Sequence, residues 1–213
     1  MTTTFKSIYL FILCIFSNCC LLIAQDTNSN NISNPSKSVI TMASLLNIDL
    51  NETTSDFLHG IDILSKNKSI NVGSFQIIIE SYSSDKSARI GILNENKFKI
   101  AYGSIFELKN CQEARIKMLE ALITPLPMEI SVKKLKQIKG IGNLCFVENN
   151  SINNDKNSKI ISVFFIRSET LIELVPLSET DNLLDIAKEL DKLLIKLIKE
   201  KSMENNSENP INP

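Results

Sequence analysis

Three sets of residues in this chain could do chemistry by type and spacing. The first is a set of carboxylates, Glu80, Glu95, Glu107, Glu169 and Glu173, which fall on predicted strands or turns. Two of them converging across a sheet would make a general acid and base, whereas acids left apart would be ordinary solvated side chains. The second is a pair of cysteines, Cys111 and Cys145. The third is VKKLKQIKG, residues 132 to 140, where Lys133, Lys134, Lys136 and Lys139 could meet a phosphate, an acidic glycan or an anionic membrane surface. The same lysines would equally suit a sheet edge or loop, because lysine keeps exposed edges from pairing.

The excluded chemistry is broader. No Walker loop, G-x-S-x-G elbow or H-E-x-x-H helix is present. The single histidine, His59, rules out any site that needs two; with Asp56 or Asp62 beside it, it reads either as a base or as a polar residue on a short helix. The sequence therefore predicts no catalytic residue, no metal and no cofactor. No aromatic residue interleaves the lysines, so base stacking has no support and nucleic acid is not an expected partner.

Three further cysteines stand in CIFSNCCLLIAQ, residues 14 to 25, inside a stretch with the layout of a secretory signal. Lys6 is the only charge before an apolar run from Ile8 to Ala24, and polar Asp26, Asn28 and Asn30 follow. Cleavage after Ala24 would leave Gln25 as the first residue. A lipoprotein acylated at Cys19 or Cys20 is the rival reading, although neither cysteine follows a small residue in the usual pattern. An uncleaved anchor is the third; membrane association is expected only if the N-terminus is retained or lipidated.

Export to an oxidising compartment would leave Cys111 and Cys145 as natural disulfide partners. Closing a loop of that length stabilises a fold by roughly 3–4 kcal/mol on the chain-entropy estimate. Two buried thiols without a bond are the alternative.

Composition bounds the rest. The chain has 213 residues and a formal charge of −1; removing residues 1–24 takes away Lys6 and no acid, leaving −2. So even a balance gives no electrostatic case for nucleic acid. The Asn- and Ser-rich segments 25–40 and 203–213 hold little to bury and read as a linker and a tail, which leaves 41–202 as a single domain. Past the leader there is no Trp and little Tyr, a poor supply of sugar-stacking platforms. The sequons at Asn31, Asn51, Asn67, Asn149 and Asn205 are expected by chance in so Asn-rich a chain.

The elements that must position these residues follow a rhythm. Residues 74–83, 88–94 and 97–103 read as strands, the last two flanking a turn at Glu95-Asn96. A helix follows, with Asn110 as N-cap and Glu113 completing a capping box, and Pro125 and Pro127 end it. The order then repeats at an offset of 72 or 73 residues: strands at 143–148, 159–166 and 170–177, and a helix from about 181 to 201 whose leucines form a broad stripe. The segment 55–65 reads as a short amphipathic helix. The expected fold is α+β: an antiparallel sheet of about six strands with two helices on one face, built as two similar β-hairpin-helix halves (about 74–125 and 140–201).

GIGNLCFV, SVFFIRSETLIEL and DIAKELDKLL, within residues 140 to 195, resemble the C-terminal half of uncharacterised secreted bacterial proteins. Gly142-Asn143 stands where Gly-Asp is usual, and Ser168 where Gly or Asn is. The resemblance implies export and carries no activity. The resulting expectation is a secreted, periplasmic or envelope domain, not an enzyme, that binds an unidentified ligand or protein through the open face of its sheet. Apolar residues on both faces of 160–166 motivate that surface. A carboxylate-based hydrolase and a membrane-tethered accessory subunit are the alternatives.

Overall fold

Eight antiparallel strands form one continuous sheet, in a computed structural model that describes residues 34–52, 69–84, 86–123, 128–150, 159–177 and 183–207. The described elements, in chain order, are α1 (Lys37–Leu45), β1 (Ser69–Val72), β2 (Phe75–Ser84), β3 (Ser87–Leu93), β4 (Lys99–Glu107), α2 (Cys111–Leu122), α3 (Met128–Lys134), β5 (Leu135–Gln137), β6 (Leu144–Asn149), β7 (Ile160–Arg167), β8 (Thr170–Pro176) and α4 (Leu183–Ser207). The sheet order is β1-β2-β3-β4-β8-β7-β6-β5. Each set of four strands runs as a meander, and the two sets join where β4 pairs with β8.

The α+β class is as expected, with more elements than the sequence suggests. β1 and β5 extend the six expected strands at the two sheet edges. α1 starts inside the stretch read as linker, where Ser36 Oγ accepts from the Val39 amide at 3.3 Å, and the compact unit begins at Pro35. α4 continues to Ser207, into the stretch read as tail. The leader, the 55–65 segment and His59 with Asp56 and Asp62 lie outside the described residues.

Local chemistry explains the elements that were foreseen. Asn110 caps α2, its Oδ1 accepting from the Glu113 amide at 2.8 Å, while Glu113 Oε2 accepts from the Lys109 amide at 2.7 Å. The β3–β4 connection is longer than a two-residue turn: Asn94 Oδ1 accepts from the Phe98 amide, and Lys97 takes a positive φ of 62°. Between β7 and β8 the turn is tight, with Ser168 at φ 59°. Asn143 Oδ1 accepts from the Ser168 amide at 2.7 Å and holds that turn from the adjoining loop.

The helices lie on opposite faces, which corrects the one-face expectation. Strand alternation sends Cys145, Val147, Val163, Phe165, Ile172 and Leu174 to the side covered by α4. It sends Leu144, Phe146, Phe164, Ile166 and Leu171 to the side covered by α1 and α2. At about 1.5 Å per residue, the 25 residues of α4 reach about 37 Å. That length lets α4 touch β7 and β8 and also β1, across a span of six strands at about 4.8 Å each. A two-fold axis relating antiparallel neighbours stands perpendicular to the sheet and leaves each face on its own side. Halves related in that way would put both helices on one face, so the repeat extends to strand order and not to helix placement.

Candidate functional site

The α2 face changes character across the sheet. The row Arg89–Ser104–Glu173–Phe164–Phe146 runs over β3, β4, β8, β7 and β6, each residue directly opposite the next. Phe164 and Phe146 are buried beneath α1 and α2. Arg89 is exposed, and Ser104 is half-buried. Glu173, also half-buried, stands at the boundary between the two regimes.

A second acid approaches from the other side. Glu148 on β6 is opposite Ser162 on β7, and Ser162 Oγ donates to Glu148 Oε2 at 3.1 Å. Strand spacing and rise place the Glu148 and Glu173 Cα atoms about 12 Å apart on one face, a gap that two glutamate side chains can largely close. Burial first, and the Glu148 charge second, push the Glu173 carboxyl up to about 7. Near neutral pH, Glu173 thus holds or releases a proton beside a carboxylate oriented by a serine. It can donate a hydrogen bond when protonated and accept one when ionised.

Polar groups continue the strip over β2 to β4. Tyr102 faces Gly91 on one side and Val175 on the other. The Glu80 and Lys99 side chains form an ion pair that crosses β3 over Gly91. A Cβ at Gly91 would stand 2.7 Å from Glu80 Oε1, so a larger residue there would make the ion pair shift.

The five carboxylates suggested by sequence do not gather in one place. Glu80 is in the ion pair with Lys99, and Glu95 is exposed in the β3–β4 loop. Glu107 and Glu169 are both buried, at the end of the sheet where β4 meets the β7–β8 turn. Glu173 finds its partner in Glu148, which the sequence reading did not single out. Parity with Phe146 gives the face of Glu148, but the β8-β7-β6 order that brings it near Glu173 is a tertiary fact.

No disulfide joins Cys111 and Cys145. Cys145 projects toward α4, whereas α2, which begins at Cys111, packs on the other face. The sheet lies between them, and the expected bridge is corrected to two separate, buried cysteines. Burial, with the charge of Asp191, pushes the Cys145 thiol up to about 12, so it stays protonated and inert.

Of the lysine cluster, Lys133 and Lys134 end α3, Lys136 lies on the outermost strand β5, and Lys139 follows it. Lys133, Lys136 and Lys139 are exposed. Among the described residues, no group of three or more His, Cys, Asp or Glu could hold a metal ion. No described helix is long and apolar enough to cross a membrane.

The fold and site define a class by geometry alone: a mixed helix and sheet domain with a carboxylate pair on a half-covered sheet face. Comparison with protein-family models, curated proteins and solved structures found no match.

Proposed function

We propose that this chain is an exported domain that binds a polar ligand or protein partner without transforming it, through the part of the α2 face spanning β2, β3, β4 and β8. The observation that carries the reading is the position of Glu173, where the helical cover gives way to a half-open strip bearing Arg89, Tyr102 and Ser104. This replaces the apolar docking face expected from β7, both of whose faces are covered at Val163, Phe164, Phe165 and Ile166. Export rests on the apolar leader and on the resemblance of residues 140 to 195. Retention of the leader, or acylation at Cys19 or Cys20, would tether the same domain to a membrane.

A specific observation favours a second reading, a carboxylate-based hydrolase. Glu173 retains its proton toward neutral pH while Glu148 accepts from Ser162, the division of labour expected of an acid and a base. Thermal-shift screening with small polar ligands, peptides and chromogenic esters and glycosides separates the two. Binding predicts stabilising compounds whose effect is lost in Glu173→Gln and Tyr102→Ala, with no turnover. Hits indifferent to both substitutions contradict the site. Turnover abolished by Glu173→Gln replaces the first reading with the second.

A further inference from the structure

Glu173 and Glu148 do not stand on adjacent strands, and Ser162 lies between them. On β7 this serine is directly opposite Glu148 of β6. Along β7 it is two residues from Phe164, which is opposite Glu173 of β8. Ser162 and Glu173 are therefore diagonal neighbours on one face. Strand spacing and rise put their Cα atoms about 8 Å apart, a separation that a glutamate side chain can span. Ser162 is 5% exposed, so little bulk water reaches its hydroxyl.

A hydroxyl has one proton to donate and two lone pairs that accept. Ser162 donates its proton to Glu148 Oε2 at 3.1 Å, which leaves its lone pairs for a donor on the β8 side. Of Leu171, Glu173 and Val175, the β8 residues on this face, only Glu173 can supply one. We propose that Ser162 is a positioning residue that joins Glu173 and Glu148 into one proton-sharing unit. The transfer balances within the three side chains. The Glu173 O–H bond breaks as its proton bonds to Ser162 Oγ, and the Ser162 O–H bond breaks as that proton bonds to Glu148 Oε2. One proton crosses, the hydroxyl is regenerated, and no co-reactant is needed. Burial and the Glu148 charge hold the Glu173 carboxyl up to about 7, so the proton is at hand near neutrality. On the reading of this face as a binding surface, on which the switching role rests, a ligand meets one acid and one carboxylate whose places exchange.

The other polar groups around the pair are engaged elsewhere or set apart. Tyr102 and Ser104 of β4 border Glu173 and bring neither carboxylate nor cation. Arg89 shares the row with Glu173 but lies beyond Ser104, two strands away. Glu80 and Lys99 pair with each other. On α2, which packs over β7 and β8, Glu113 accepts from the Lys109 amide, Arg115 is held by Glu52, and Lys117 lies 4.0 Å from Glu120. Lys37 of α1 is exposed. Lys133 and Lys134 end α3 just before Leu135, the residue opposite Glu148, and are the cations at that end of the pair.

Carbon-detected titration of the Glu173 carboxyl in the ligand-free folded chain tests the bridge through variants of Ser162. Ser162→Ala should lower the midpoint by about one pH unit, because the protonated carboxyl loses its acceptor. Ser162→Cys, with a thiol that bonds only weakly, should do the same, and Ser162→Thr, which keeps the hydroxyl, should retain the wild-type midpoint. Glu148→Gln should move the midpoint less in the Ser162→Ala chain than in the wild type. Circular dichroism checks that each variant keeps the fold. A midpoint indifferent to Ser162→Ala and Ser162→Cys overturns the bridge. So does a fall that Ser162→Thr shares, or a response to Glu148→Gln that is equal in both backgrounds. Because no ligand is present, the bridge can fail while the thermal-shift screen still finds binding, and the screen can fail while the bridge holds.

Discussion

Glu173 shows how one residue's chemistry is set by its neighbours. Alternation along β8 sends it to the face of Phe164 and Ser104, and the sequence supports that much. Its partner was not legible, because Glu148 lies far along the chain and two strands away. The pairing has a consequence for stability. A carboxyl whose folded pKa is raised from 4.5 to about 7 binds its proton more tightly in the folded state. Its contribution is therefore fully present below 4.5 and is lost as pH rises toward 7, by about 3 kcal/mol at most and less where solvent screens it. Urea unfolding across this window should show stability falling with pH, and Glu173→Gln should flatten the slope. A variant with the wild-type slope would remove Glu173 as its source. Cys145 teaches the same lesson: its type and the expected compartment suggest a bond, and the face it occupies forbids that bond.

At the scale of elements, the six central strands and both long helices are legible because their signals are local. Asn110 and Glu113 announce α2, and alternation marks β4. The missed elements lack such signals. β1 and β5 have four and three residues, too few for a period to emerge, and they exist because a neighbouring strand supplies their hydrogen bonds. α1 begins at the end of a polar stretch, and its Val39, Met42 and Ala43 count as a stripe only once the sheet face beneath them is known. α4 is anchored by more than its leucines. Arg167 Nε and Nη2 donate to the two carboxylate oxygens of Asp191, at 2.7 and 2.6 Å, joining the end of β7 to the helix. Both side chains are largely buried. Asp191→Ala should therefore cost about 3–5 kcal/mol by stranding the guanidinium, whereas Arg167→Met with Asp191→Leu should cost far less. Equal losses in chemical denaturation would show that the ion pair is not what holds the helix.

For the whole molecule, the decisive feature is the unequal treatment of the two sheet faces. One is apolar beneath α4 from β1 to β7. The other is apolar beneath α1 and α2 over β6, β7, the start of β8 and Phe106 of β4, and beyond them it mixes Ile78 and Val175 with Arg89, Tyr102, Ser104 and Glu173. Sequence alternation announced two buried-type faces on β7, but not which helix would take which. The apparent duplication suggested one side for both, and the structure separates them. That separation places Glu173 at a border and gives Glu148 a route to it. The proposed surface rests on the coupling of these two acids at its border, with Glu173 partly desolvated. Its most direct test is a carbon-detected NMR titration of the Glu173 side-chain carboxyl in the folded protein. The expected midpoint lies near 7 and falls when Glu148 is replaced by Gln. A midpoint near 4.5, unmoved by Glu148→Gln, would contradict it.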